Sequence, residues 1–367
     1  MRRFLTSCLI LFTSALIQAQ IKESLPPARP LFNRPDTATI FLMGDVMMHA
    51  DQISNAKRPD GSYSFDTYFC HLEDLIRSSD LAVANMEFTL AGKPYTGYPC
   101  FSAPDGYETY VAGCGVDVFL TANNHILDRG RRGLTRTLER YSEMEEEGTV
   151  KHTGAFVSAR DDEGRFPLMV VVKGVRVAFV NFTYGTNLKA EEGFPKVHVT
   201  DRKEIASAIR RAREAGAEFV VALPHWGIEY VLRHSQSQET LATWLVDQGC
   251  DAVVGAHPHV VQDCETIGTV PVVYSMGNAV SNMSARNTQI GMAVRLRIVT
   301  DWRGERKMAE PEFIFTWCSR PGTLTDSYSV VPVKEFVGKR SLWKDPSDYD
   351  NMVSSYERVK GETGIID

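Results

Sequence analysis

Ala252-Val253-Val254-Gly255-Ala256-His257-Pro258-His259 runs from a short apolar stretch straight into a glycine and two histidines. Small and β-branched apolar residues closed by Gly read as a buried strand that stops at a turn. His257 and His259 stand two residues apart, so on an extended segment both imidazoles point to the same side. Pro258 stiffens the segment between them. The same pattern recurs to either side. Residues 219–223 form an apolar run that ends on Pro224-His225-Trp226-Gly227, and residues 270–274 end on Ser275-Met276-Gly277-Asn278. Nearer the start, residues 39–43 end on Gly44-Asp45, residues 81–84 run into Asn85-Met86-Glu87, and residues 116–120 run into Thr121-Ala122-Asn123-Asn124-His125.

Helical stretches separate these strands. Phe65, Phe69, Leu72 and Ile76 predict a helix over 65–77, and a charged helix is expected at about 132–147. Asp201 as N-cap with Glu204 three residues on predicts a capping box opening a helix to about residue 215, and another helix fits 237–248. Residues 168–172 and 176–181, joined by Lys173-Gly174-Val175, read as a hairpin, with further hairpins near 290–299 and 313–317. Strands alternating with helices predict an α/β architecture. In such sheets ligands bind beyond the carboxyl ends of the strands, so the polar clusters are expected to converge on one site.

Composition fits a folded globular chain: 367 residues, 43% hydrophobic, 23% charged, net charge −6. These values argue against disorder, collagen and a polytopic membrane protein. The acidic balance lacks the electrostatic footprint of a nucleic-acid binder, so no nucleic-acid partner is expected. Arg2 and Arg3, an apolar run over 4–17 and Ala19 predict a secretory signal peptide over residues 1–19, hence export to the periplasm, the cell surface or the medium. A Pro-rich leader over 20–37 (Pro26, Pro27, Pro30, Pro35) precedes an expected main domain over 38–300. Residues 301–367 are expected to pack as a β hairpin on that domain and end in a polar tail. Beyond Cys8, six cysteines remain, an even number, and an oxidising compartment predicts at least one disulfide among them.

Imidazoles, carboxylates and an amide oxygen are the donors of a hydrolytic transition-metal site, and Asp45, Glu87, Asn124, His225, His257 and His259 supply them from strand ends. His49, four residues after Asp45, is a further candidate ligand. His125 with Asp128 three residues on reads as a general acid oriented by a carboxylate. Arg129, Arg131 and Arg132 follow at once, and guanidinium forks match carboxylate or phosphate oxygens, so Arg129 and Arg132 are candidate substrate contacts. G-x-S-x-G, Walker A and H-E-x-x-H signatures are absent from the sequence.

Taken in order, Gly44-Asp45-Val46-Met47, Asn85-Met86-Glu87, Asn123-Asn124-His125 with Asp128 and Gly130, His225-Trp226-Gly227 with Glu229 and Tyr230, Gly255-Ala256-His257-Pro258-His259 and Tyr274-Ser275-Met276-Gly277-Asn278 resemble the CapA family. These are capsule and poly-γ-glutamate synthesis proteins, a branch of the calcineurin-like metallophosphatase superfamily, and the resemblance covers about residues 40–281. It implies a four-layer α/β/β/α sandwich with two divalent metal ions (Mn, Fe or Zn) between two sheets. It implies Asp45, Asn124, His225, His257 and His259 as ligands, Glu87 as the bridging carboxylate and His125 facing substrate. Trp226, Glu229, Tyr230 and Asn278 are implied to contact substrate. Met47 departs from the superfamily's D-x-H start, and Ala279 stands where the family commonly has Phe. The function implied is metal-dependent hydrolysis of an anionic envelope polymer or its precursor, with membrane-associated capsule synthesis machinery as a candidate partner. The alternative class is a polymer-binding, assembly or export factor that keeps the fold and turns over nothing.

Overall fold

Successive residues of the first strand are buried on opposite faces: Ile40 and Leu42 enter one apolar core, Phe41 and Met43 another. A strand covered on both faces belongs to the middle of a layered structure. The computed structural model describes residues 36–367; the expected signal peptide, Cys8 and the leader up to residue 35 lie outside the described residues.

In chain order the first half comprises β1 (Asp36–Val46), α1 (Ala50–Ala56), α2 (Glu73–Arg77), β2 (Leu81–Met86), α3 (Tyr107–Gly113), β3 (Val118–Leu120), α4 (Gly130–Glu146), β4 (Lys151–Thr153), β5 (Ala155–Phe156), α5 (Ala159–Arg165), β6 (Leu168–Val172), β7 (Val175–Thr183) and β8 (Lys196–Val197). Then follow α6 (Arg202–Glu214), β9 (Phe219–His225), α7 (Gln236–Asp247), β10 (Ala252–Val254), β11 (Cys264–Ile267), β12 (Val270–Val273), β13 (Asn278–Val280), β14 (Ile290–Thr300), β15 (Arg306–Met308), β16 (Glu312–Ser319), β17 (Ser329–Pro332), α8 (Val333–Phe336) and α9 (Pro346–Thr363).

A nine-stranded sheet has the order β17-β16-β14-β1-β2-β3-β4, with β13 beside β1 and β15 beside β14. A six-stranded sheet has the order β11-β12-β10-β9-β7-β6. The strands β1 to β4 are mutually parallel, as are β7, β9, β10 and β12, so their carboxyl ends share a direction within each sheet. One core lies between the sheets, joining Ile40, Leu42, Val83 and Leu296 to Val177, Phe179, Val221 and Val254. A second lies under α1, α2 and α3, and a third under α6 and α7. The order of layers is therefore α/β/β/α, the sandwich expected.

Several local expectations change. The strand β1 starts at Asp36 and so takes in the last two residues assigned to the leader. Only Glu73–Arg77 of the expected 65–77 helix is helical. Residues before it form successive turns (Tyr68 N to Phe65 O, Leu72 N to Phe69 O) that still bury Phe65, Phe69, Leu72 and Ile76. The expected polar tail is instead an 18-residue helix, α9, with Pro346 at its start and Asp345 as N-cap accepting from Ser347 N. Its buried face, Met352, Tyr356 and Val359, packs with Phe315 and Trp317 of β16. The i, i+4, i+7 spacing of those residues was hidden among Ser, Asp and Lys. The six described cysteines are all free, which corrects the expected disulfide. Among the described residues no helix is long and apolar enough to cross a membrane.

Candidate metal centre

Register brings the strand ends together. Between Met43 and Asp45 the pairing of β1 with β2 shifts by a bulge, which re-aims Asp45. Beside it, Asp45 N donates to Gly277 O at 3.0 Å, so β1 and the loop before β13 touch backbone to backbone. A Cβ on Gly44 would lie 1.8 Å from Gly277 O, so only glycine permits this approach. Across the interface, Ala256 follows β10 and bridges His225 at the end of β9. Two of the site's residues hold left-handed backbone, His257 at φ 103° and His259 at φ 58°. Conformations this unfavourable for non-glycine residues persist only where surrounding structure fixes them, and they cluster at functional sites.

Asp45, Glu87, Asn124, His225, His257 and His259 are all buried. Asp45, Glu87 and His225 offer atoms within 4.8 Å of one another, and so do Glu87, His257 and His259. Glu87 belongs to both groups. Its Oε1 lies 3.7 Å from His225 Nε2, 3.8 Å from His259 Nε2 and 4.0 Å from His125 Nε2. Neither oxygen of this buried carboxylate has a hydrogen-bond partner, and neither does His257 Nδ1. Buried polar atoms are otherwise paired almost without exception, so these orphans mark a place where something else belongs. Ligand atoms at about 2.0–2.2 Å from a common divalent ion lie roughly 3–4 Å from each other. The donor set and its spacing therefore fit bound divalent metal, with Glu87 common to both ligand groups.

The remaining atoms of the ligands are held. Asp45 Oδ1 accepts from Asn85 Nδ2 at 2.7 Å. His259 Nδ1 donates to Asn278 Oδ1 at 2.9 Å, which leaves Nε2 free to face Glu87. His225 sits between Asn85 Nδ2, 3.2 Å from its Nδ1, and Asn124 Oδ1, 2.7 Å from its Nε2. Asn123 donates to Met86 O at 2.9 Å and accepts from His125 N, tying β2 to the Asn-His loop.

Electrostatics follow from burial and crowding. Burial and then the charge of Asp45 push the Glu87 carboxyl well above its usual range. Burial works against the Asp45 carboxylate too, but the hydrogen bond and charge of His259 prevail and hold it at about 2. Burial and the neighbouring His259 push His257 down to about 3, and burial with His257 pushes His225 well below 6.5. Burial opposes charge on His259 as well, yet its bond to Asp45 leaves it raised.

His125 and Asp128 form a pair at 2.7 Å between Nδ1 and Oδ2. Next to a carboxylate this close, Nδ1 carries the proton and donates, so Nε2 faces Glu87. His49 stands apart from both metal groups: its Nδ1 bonds Gln52 Oε1 at 3.1 Å where it caps α1, and burial pushes it down to about 4. Arg129 donates to Thr96 Oγ1 at 3.0 Å, and Arg132 is exposed on α4. Glu229 and Tyr230 are exposed, with the Tyr230 ring 6.2 Å from that of His259.

Two expected substrate contacts, Trp226 and Asn278, are not free to meet substrate. Trp226 is buried with α6 and α7 in the outer core and donates to Tyr274 O. It follows His225 on the strand, and successive side chains point to opposite faces. Asn278 is buried and spends its amide on His259 and on Thr288 O. Residues missed in the sequence are Asn85, Asn187 and Tyr184. Asn187 Nδ2 reaches Asp128 Oδ1 at 3.4 Å, and the half-exposed Tyr184 ring lies 4.6 Å from that of His257. Asn85 was signalled by its place in a strand-end cluster; the loop carrying Tyr184 and Asn187 gave no pattern.

Residues 39–283 match the family described as "Bacterial capsule synthesis protein PGA_cap". The chain belongs to this family. It is 27% identical to capsule biosynthesis protein CapA of Bacillus anthracis over 310 residues, covering 81% of this chain and 72% of that one. It is likewise 27% identical over 282 residues to the PGA biosynthesis protein CapA of Bacillus subtilis (strain 168), covering 73% and 70%. Solved structures similar to it include Haemophilus influenzae NAD nucleotidase, with TM-score 0.47 and 9% identity over 90% of this chain and 68% of that one. Another is 5'-nucleotidase from Candida albicans, with TM-score 0.41 and 11% identity over 72% of this chain and about half, 52%, of the other.

Proposed function

We propose that this PGA_cap protein is an exported, metal-dependent hydrolase that cuts an anionic cell-envelope polymer or its precursor at a dinuclear centre. The observation that carries the reading is the buried Glu87 carboxylate, shared by two ligand groups and unpaired at both oxygens. The relatives' names, capsule biosynthesis and PGA biosynthesis, support the polymer class. Divalent ions held there would supply Lewis-acid polarisation of a phosphoryl or carbonyl oxygen and an activated water at neutral pH.

The chain's own residues do the rest. Asp45, Glu87, Asn124, His225, His257 and His259 would hold the ions, and Asn85 and Asn278 would fix the orientation of Asp45 and His259. Asp128 holds the Nδ1–H of His125 and supports the doubly protonated imidazolium, whose Nε2 proton would pass to the leaving group. Arg129, Arg132, Glu229 and Tyr230 are left as the candidate outer contacts. Metal content of the purified protein, paired with hydrolysis of a phosphodiester and of γ-glutamyl peptides, tests the reading; tightly held metal with no turnover on either would defeat it.

A second reading, a non-catalytic binding or assembly factor, is favoured by one observation. Met47 is buried where the superfamily places a histidine, and the nearby His49 is engaged as a helix cap.

A further inference from the structure

Three exposed tyrosines stand around the metal centre: Tyr98 at 74%, Tyr184 at 51% and Tyr230 at 44% exposure. We propose that they form an aromatic rim, which receives a sugar ring joined to the reacting group held at the metal centre. The inference rests on the hydrolase reading for that centre and adds to it the chemical class of the unit beside the reacting group.

Position ties each ring to the strand-end cluster. Tyr184 follows β7, its N donates to His225 O at 2.9 Å, and its ring lies 4.6 Å from that of His257. Tyr230 N donates to Pro258 O at 2.9 Å, between the two histidines, and its ring lies 6.2 Å from that of His259. Its backbone is left-handed at φ 66°, a conformation that a bulky residue keeps only where its surroundings fix it. Tyr98 stands at the tip of a loop closed by two backbone bonds, Thr96 N to Ser102 O at 3.0 Å and Ser102 N to Thr96 O at 2.7 Å. A Cβ on the preceding Gly97 would run into the backbone of His49 and Ala50, so this loop lies tight against the start of α1. The Tyr98 ring is 6.4 Å from that of Phe101, which in turn meets His125 edge-on at 4.7 Å.

The rings also feel one another's surroundings. Burial, then the nearby Glu229 and Tyr98, push the Tyr230 hydroxyl up to about 12. Burial, then Glu229 and Glu87, raise that of Tyr184. Glu229 is thus within electrostatic reach of both hydroxyls, and Tyr98 within reach of Tyr230, so the three rings border one opening.

Chemistry then selects the occupant. Exposed apolar surface gathered in one place marks binding, and tyrosine supplies a rigid apolar face with a polar edge. A pyranose matches it, with C–H groups on its faces and hydroxyls around its edge. A planar base is held best between two faces; here each ring neighbours a histidine or Phe101 rather than another tyrosine. The carboxylate of Glu229 accepts from hydroxyls and repels a further anion, in a chain whose net charge is −6.

The test is calorimetric binding of the methylene phosphonate analogue of glucose 1-phosphate to the metal-loaded protein, beside methylphosphonate, which keeps the anion and lacks the ring. Wild type should bind the glucosyl analogue at least about tenfold more tightly than methylphosphonate. The double variant Tyr98→Ala/Tyr184→Ala, both positions exposed, should lose that margin with methylphosphonate binding unchanged, whereas Tyr98→Phe/Tyr184→Phe should keep most of it. Equal affinity of wild type for the two ligands, or a margin that survives in the alanine variant, overturns the rim. A tyrosine-dependent margin for the methylene phosphonate analogue of adenosine monophosphate, without one for the glucosyl analogue, assigns the rings to a planar base and overturns the sugar. Methylphosphonate binding that survives chelation of metal counts against the metal-centred reading, and a tyrosine-dependent margin in that same protein still upholds the rim. Methylphosphonate binding lost on chelation, with no tyrosine-dependent margin beforehand, does the reverse.

Discussion

Asp128 Oδ2 lies 2.7 Å from His125 Nδ1 and also accepts from Phe101 N at 2.9 Å. The carboxylate is thus fixed by backbone while it fixes the imidazole, whose edge-on neighbour is the Phe101 ring at 4.7 Å. A histidine held this way is oriented with Nε2 toward Glu87, 4.0 Å from its Oε1.

His125→Ala should therefore keep its metal and lose turnover by about 10²–10⁴-fold, the size expected for an acid–base group. Asp128→Asn should cost less, since the imidazole stays but is held less well. Metal analysis alongside kcat on a substrate with a poor leaving group checks both. Unchanged kcat in His125→Ala would reassign the pair to scaffolding.

Because Glu87 belongs to both ligand groups and His257 to one, their substitutions should differ in metal stoichiometry. Glu87→Gln should lower binding of both ions, whereas His257→Ala should spare the group of Asp45, Glu87 and His225. Elemental analysis of protein with unchanged circular dichroism reads this directly. Full metal content in both variants would remove the centre.

Metal uptake should release protons. Glu87 and His259 both have raised pKa values in the metal-free protein, and a ligand must shed its proton to bind. Their protonated fraction falls as pH rises, so apparent metal affinity should climb with pH, up to about tenfold per unit for each proton released. Titration calorimetry in buffers of different ionisation enthalpy counts those protons. A count of zero at pH 6 would contradict the raised values.

Gly44→Ala should destabilise the fold and loosen metal together. The new Cβ would meet a backbone oxygen at 1.8 Å, so β1 and the loop before β13 must separate. Overpacking typically costs about 1–3 kcal/mol, and here it also displaces Asp45. A thermal melt with metal analysis checks it; loss of neither would show that the contact is slack.

The legible parts of this sequence were local ones. Apolar runs ending in Asp, Glu, Asn or His could be placed at strand ends because both the strand period and the turn residues are short-range signals. The reading failed where a side chain's direction mattered: Trp226 stands beside His225 in the sequence yet is buried in the outer core with α6 and α7. It failed again where a contact is long-range. Asn187 reaches the pair His125–Asp128 from a loop some sixty positions away, and nothing in its own neighbourhood marks it. The helix α9 was missed for a different reason, as its apolar stripe is narrow and interrupted by the buried Asp348.

The placement of β1 has a consequence for the order in which the protein is made. This strand pairs with β2 on one side and with β14 on the other, Leu42 opposite Val294 and Ile40 opposite Leu296. Every strand of the six-stranded sheet comes between β1 and β14 in the chain. A growing polypeptide therefore carries β1 with an open edge until the whole six-stranded sheet and then β14 (Ile290–Thr300) have been synthesised. Open apolar edges invite pairing with other chains, and contacts between such distant segments close slowly. The strand that carries Asp45 is the first of the described strands, and one of its edges stays open until β14 is made.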